Sequence, residues 1–191
     1  MSTSRIFRLS ALAAIASGIC IIIGKVLALL PDPQAGEIFD FFSPLFGLFA
    51  IIGIHLWQQK KSGAFGWVAF IVVFIGLTLV ASLDYFGAFI RPYIPANIMD
   101  QIMAGPTGTV AIISGLTFLV GEVLFAISVF RAANFSKIAT LLFMVGFIPV
   151  PLVDVFPFSI VAIGSVLAGI GIIWWGISLW SFSSLDMNLM E

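Results

Sequence analysis

Charge is what this sequence has least of. Only 9% of its 191 residues are Asp, Glu, Lys or Arg, where water-soluble domains carry about 25%. With 61% hydrophobic residues, the chain cannot hide its apolar surface from water in any soluble fold. Cysteine is nearly absent. Cys20 stands alone among isoleucines, which excludes an intrachain disulfide and predicts an inert, buried thiol. Histidine is nearly absent too. His55 alone excludes a haem held by two histidines, and no Cys/His set exists for zinc. Neither Gly-x-Ser-x-Gly, His-Glu-x-x-His nor a phosphate-binding loop occurs. The expectation is a protein that is not an enzyme and has no cofactor. A net charge of −1 gives no footprint for a nucleic-acid partner.

What the chain does have is long apolar runs. Six are expected, at Phe7–Leu30, Ile38–Trp57, Phe65–Ile90, Thr109–Phe130, Lys137–Phe156 and Phe158–Phe182. Each is about the 20 residues that a spanning helix needs. They are too long and too continuous for barrel strands, and in hydrocarbon a helix satisfies its own backbone. The predicted fold class is therefore all-α, a polytopic bundle of six transmembrane helices forming one domain over residues 1–191. Pro149 and Pro151 should kink or break the fifth run. Arg5 and Arg8 precede the first run as in a signal peptide. That run is longer than the roughly 7–15 apolar residues of such a signal and contains Lys25, so it reads as a retained helix.

Two stretches match. Ala14–Leu27 and Ala111–Leu124 share Ala-Ile, Ser-Gly, Gly and Val-Leu in register, with Lys25 exchanged for Glu122. Helices one and four would run in opposite directions, so the match suggests a 3+3 inverted repeat with halves 1–95 and 104–191. Beyond this pair the similarity fades to scattered positions such as Leu45 with Leu142. The positive charges set the expected orientation. Arg5, Arg8, Lys60, Lys61, Arg131 and Lys137 lie at the amino terminus or in even connections, and Arg91 alone in an odd one. Lys and Arg stay on the cytoplasmic side, which places both termini in the cytoplasm of a cell-membrane protein. Most connections are short. The exception, residues 91–108, is an outer loop whose middle suits a short interfacial helix. There Ile98, Met99, Ile102 and Met103 share one face. It would act as a lid or as a tether on the bundle rim.

Ionisable groups within the apolar runs mark the candidate site, because such groups are costly in hydrocarbon. Lys25 lies six residues before Pro31 and Asp84 six before Ile90, so each is about 9 Å from the outer end of its helix. Asp40 and Asp154 lie nearer the outer ends of helices two and five. Glu122 lies nine residues before Arg131, roughly 13 Å from the inner end and near mid-membrane. A carboxyl there must be protonated, paired or turned to a polar cavity. Gly18 stands seven residues before Lys25 and Gly115 seven before Glu122, so each charge shares a face with small residues. Lys25, Asp84 and Glu122 should all point inward. Ser43-Pro44 and Pro149-Val-Pro151 break helices in the same outer half. His55, beside Trp57 and Lys60-Lys61, is expected at the inner interface. Trp57, Trp67 and Trp180 would anchor the inner interface, Tyr85 and Tyr93 the outer one.

Arg8-Leu-Ser-Ala-Leu12 opening the first run and Gly171-Ile-Ile-Trp-Trp-Gly-Ile-Ser-Leu-Trp180 closing the last give a layout that resembles small six-helix prokaryotic membrane proteins of uncharacterised families. That resemblance implies no activity. Size and helix number are also similar to the substrate-binding subunits of vitamin transporters. Their docking stripe of small residues is matched here only by Ala14 and Gly18.

Two functions fit these residues. In one, the chain binds or transports a small solute or cation through an outer, net acidic vestibule, with Lys25, Asp84 and Glu122 as site and Asp40 and Asp154 at its entrance. In the other, it is an accessory or scaffold subunit of a larger membrane assembly, and salt bridges such as Lys25 with Asp84 only lock helix register. The partners expected are the lipid bilayer and other membrane subunits or copies of the chain. The orientation has a direct test. In a Cys20→Ser background, an Asp100→Cys thiol should react with an impermeant reagent added outside intact cells, and a Ser62→Cys thiol should not. The opposite labelling pattern reverses the bundle.

Overall fold

The structure is a computed structural model describing residues 3–31, 34–153 and 155–188. Among the described residues there are six α-helices, two 3-10 turns and no strand. The helices are α1 (Thr3–Leu27), α2 (Gln34–Phe89), α3 (Ala96–Ala104), α4 (Pro106–Ala132), α5 (Lys137–Phe147) and α6 (Phe158–Asn188). Four of them, α1, α2, α4 and α6, are long and apolar enough to cross a membrane.

The second and third apolar runs are one nominal helix folded on itself. At Gly63 the backbone takes φ 56° and ψ −149°, a conformation that side chains essentially forbid. The arms on either side, residues 34–62 and 64–89, return antiparallel. His55 stacks on Phe70 with ring centroids 4.5 Å apart, and Arg91 donates to Glu37 at 3.2 Å. Both pairs straddle Gly63 evenly. The fifth run is shorter than its apolar length. Helix α5 stops at Phe147, and Val150–Leu152 continues as a single 3-10 turn. Pro149 and Pro151 lack the N–H groups that an α-helix needs there. Helix α4 starts earlier than its hydrophobicity suggests. Pro106 enters the first turn, where a missing donor costs nothing. It ends at Ala133, whose left-handed φ of 53° turns the chain toward α5. Ser136 then caps α5 by accepting from the Ala139 N–H.

Helix α1 packs between the first arm of α2 and α6. The second arm packs on α4, while α5 lies against α6 and more loosely against α4. Outward faces stay apolar: Ile112, Leu116 and Val120 on α4 are exposed, as are Ile163, Ile170 and Ile177 on α6. Inward, the helices meet at glycine. Gly18 lies against Gly169, Gly146 against Gly164, Gly121 against the Val73 backbone and Gly76 against the Phe118 backbone. For helices that lie in hydrocarbon there is no hydrophobic reason to associate, and close backbone contact of this kind would supply the attraction.

Helix four corrects the expected packing stripe in one detail. Its close contact is made by Gly121, not by Gly115, whose nearest neighbour is the Pro151 side chain. Gly121 is the position matched by Gly24 in the paired stretch, and Gly24 is also crowded, by Asp40 and Gly36. In the 91–108 loop, α3 turns Met99 and Ile102 partly inward and leaves Ile98 and Met103 exposed.

Two kinds of glycine variant should separate. A β-carbon on Gly121 would stand 2.7 Å from Val73 Cα, whereas one on Gly87 would meet nothing closer than 3.7 Å. Gly121→Val should therefore destabilise the detergent-solubilised protein by about 1–3 kcal/mol, read as a lower thermal midpoint, and Gly87→Ala should not. Gly63→Ala should also destabilise, by about 1–3 kcal/mol, although nothing lies within 4 Å of the added carbon. Unchanged midpoints for both Gly121→Val and Gly63→Ala would contradict this packing.

Candidate functional site

Each helix interface closes at glycine, yet the centre of the bundle stays open on one side. A cavity of about 120 Å³ runs inward from the end that carries α3. Four of the five residues singled out in the sequence line it: Lys25, Asp40, Asp84 and Glu122. The fifth, Asp154, lies outside the described residues.

Near the mouth, Lys25 Nζ donates to Asp40 Oδ2 at 2.6 Å. This replaces the expected Lys25–Asp84 pair. The cause is helix register: Gly24 lies against Gly36 and Asp40, which brings the end of α1 onto the start of α2. The helix dipole favours Lys25, which sits in the last turn of α1. Asp40 is therefore not an unpaired acid at the water surface. Its side chain and that of Lys25 are only 23% and 19% exposed. Arg91 with Glu37 forms a second pair, more exposed and at the rim, where an ion pair contributes little. Asp84 lies close enough to Lys25, Asp40 and Glu37 to feel their charges. Among the described residues it has no hydrogen-bond or ion-pair partner.

Deeper in, Ser17 donates to the Ser43 carbonyl at 2.9 Å. Pro44 follows Ser43, and both line the cavity. Ser165 lines it from α6 and bonds its own helix at Val161 O. Glu122 lies beyond them at the Phe118 level. It is 2% exposed, and its Oε2 has no hydrogen-bond partner among the described residues. The far wall is aromatic. Phe118, Phe143, Phe147 and Trp175 line the cavity together. Ring centroids are 4.4 Å apart for Phe143 and Trp175 and 4.9 Å for Phe143 and Phe147. Trp175 is fixed by its indole N–H, which donates to Thr140 Oγ1 at 3.3 Å. Ile21, Ile51, Ile54 and Leu77 are among the aliphatic residues of the lining.

The aromatic wall and the three serines were not legible as a site. Phenylalanine is scattered over five of the six helices, and only packing shows which three converge with Trp175. His55 is a correction. It is 1% exposed rather than interfacial, lying between Trp67 and Phe70 with neither ring nitrogen bonded among the described residues. One turn further along the same helix, Gln58 is also buried and donates to Ser128 at 3.3 Å.

Among the described residues no group of three or more His, Cys, Asp or Glu side chains is placed to hold a metal ion. No known protein family, curated protein or solved structure matches the chain. The lining is largely apolar, with carboxyl groups at the mouth and at the bottom.

The pairing at the mouth makes a prediction. Lys25→Met strands Asp40, and Asp40→Asn strands Lys25, so each should cost about 1–3 kcal/mol of stability. The double variant should recover much of that loss, whereas Lys25→Met with Asp84→Asn should not. Thermal unfolding of the single and double variants in one detergent measures both couplings. A larger coupling for Lys25 with Asp84 would refute the pairing.

Proposed function

We propose that this chain is a multi-pass membrane protein that binds or transports a small solute through the cavity, with the α3 end facing outward and both termini in the cytoplasm. Both arms of α2 would cross the membrane, as would α5 with its following 3-10 turn, giving six crossings with α1, α4 and α6. The exposed apolar stripes on α4 and α6 support contact with lipid. The distribution of Lys and Arg supports the orientation.

The inverted repeat belongs to the same proposal. Under it, α1 corresponds to α4, and the partner of α1, which is α6, corresponds to the second arm of α2. Both contacts are present and both are antiparallel, Gly18 on Gly169 in one case and Gly121 on Val73 in the other. The contact of α4 with α5 is looser than that of α1 with the first arm of α2. Any symmetry is therefore weaker there.

One observation carries the binding role: Glu122, deeply buried, lines the cavity with Oε2 unpartnered. A scaffold that uses charge as a lock pairs its charges, because an unpaired buried polar group costs free energy without adding register. Here Lys25 is paired with Asp40, and Asp84 and Glu122 are left facing the cavity. That pattern favours a site over a lock.

Glu122→Gln keeps the size and shape of the side chain. It should leave expression and thermal midpoint close to those of the parent and abolish solute binding or uptake in reconstituted vesicles. A variant that loses assembly with other membrane subunits but keeps solute handling would point to the scaffold role instead.

A further inference from the structure

The chemistry of the cavity wall narrows the solute, provided that the binding role proposed for the cavity holds. The lining carries three carboxylates, Asp40, Asp84 and Glu122, against one ammonium, Lys25. Lys25 is already held by Asp40 at 2.6 Å. An anionic solute would meet Asp84 and Glu122 with no free cation to offset them. A neutral apolar solute would leave the buried Glu122 carboxyl unpartnered. A positive solute is the complement of both acids.

The same wall separates classes of cation. Calcium and magnesium take six or more oxygen ligands or retain their water. No such cluster of acids exists among the described residues, and the rest of the lining is largely Ile, Leu, Phe and Trp. An alkylated ammonium makes the opposite demand. Its charge is spread over a carbon shell, so it needs one acid and several π faces rather than a cage of oxygens. Phe118, Phe143, Phe147 and Trp175 offer those faces on the same cavity as Glu122. Phe118 stands one helical turn before Glu122 on α4, so ring and carboxyl share a face. Its ring lies 5.4 Å from that of Phe147, centroid to centroid. Desolvation strengthens both the ionic and the cation–π attraction.

We infer that the cavity binds a small organic ammonium ion, with Glu122 as its counter-ion and Phe118, Phe143, Phe147 and Trp175 as an aromatic wall against its carbon substituents. The Lys25–Asp40 pair and Asp84 form the mouth through which it passes. Asp84 gives the mouth a carboxyl with no partner among the described residues, and the lysine is kept from repelling the ligand by its bond to Asp40.

The test uses the full chain in phosphatidylglycerol nanodiscs, titrated by calorimetry and by tryptophan fluorescence. The probes are tetramethylammonium chloride, sodium chloride and tert-butanol, the last a neutral solute of similar bulk. Wild type should bind tetramethylammonium saturably and the other two not measurably. Glu122→Gln should abolish binding. Phe143→Leu, which keeps an apolar side chain and removes a π face, should weaken it about tenfold. A repeat in phosphatidylcholine discs separates the sources of the ammonium. Competition there assigns a lipid headgroup and an unchanged affinity assigns a free ion, and both keep the ammonium assignment. Equal binding of tert-butanol would overturn that assignment while leaving a solute site in place. Tetramethylammonium binding that survives Glu122→Gln would overturn the counter-ion. If no probe binds wild type, the ammonium assignment fails. The broader solute role is then decided by whether Glu122→Gln changes uptake in vesicles.

Discussion

Close backbone contact at glycine is the constraint on which the rest of this bundle depends. Helices surrounded by apolar side chains on every face have no preferred partner until some positions let two backbones touch. Gly18 with Gly169, Gly146 with Gly164, and Gly121 with Val73 are such positions. They fix which faces meet and at what height. They also decide where the bundle cannot close. Where Phe118, Phe143, Phe147 and Trp175 converge, large rings hold the helices apart, and the cavity is the space that remains.

Register then decides the electrostatics. The contact of Gly24 with Gly36 slides α1 along α2 until Lys25 reaches Asp40. Lys25 also sits at the favourable end of its helix dipole. This consumes the one cation among the four charged residues that line the cavity. The unpaired acids that remain among the described residues, Asp84 and the buried Glu122, are what a purely structural arrangement would avoid. A shift of one turn between α1 and α2 would bring Lys25 to other partners and remove the argument for a cationic ligand.

The arrangement also grades the cavity from outside to inside. At the mouth, the Lys25–Asp40 pair and Asp84 are partly reachable by water. In the middle, the Ser17 and Ser165 hydroxyls are engaged with backbone carbonyls, and the Ser43 hydroxyl lies 3.4 Å from that of Ser17. At the bottom, Glu122 faces aromatic and aliphatic side chains. A solute moving inward would exchange water for π faces while keeping a carboxylate in reach, and so would avoid a step in which its charge is uncovered.

The sequence by itself determined that the chain is all-helical, where its apolar runs lie, that proline ends the fifth run, and which charged residues stand inside the runs. These follow from local composition and backbone chemistry, because a proline lacks its N–H and a Lys, Asp or Glu is costly in hydrocarbon wherever the helix packs. Helical spacing also indicated that Lys25, Asp84 and Glu122 share faces with small residues, since the 3.6-residue repeat needs no partner. Only the tertiary structure decided which charges meet. Lys25 is within plausible reach of both Asp40 and Asp84 by depth alone, and the choice rests on a sliding register that sequence spacing does not encode. The same holds for His55, whose burial depends on the arm beyond Gly63 folding back over it, and for the aromatic wall. Four of 20 phenylalanine and 5 tryptophan side chains converge there, and convergence is a property of several helices at once, which no single helix can carry.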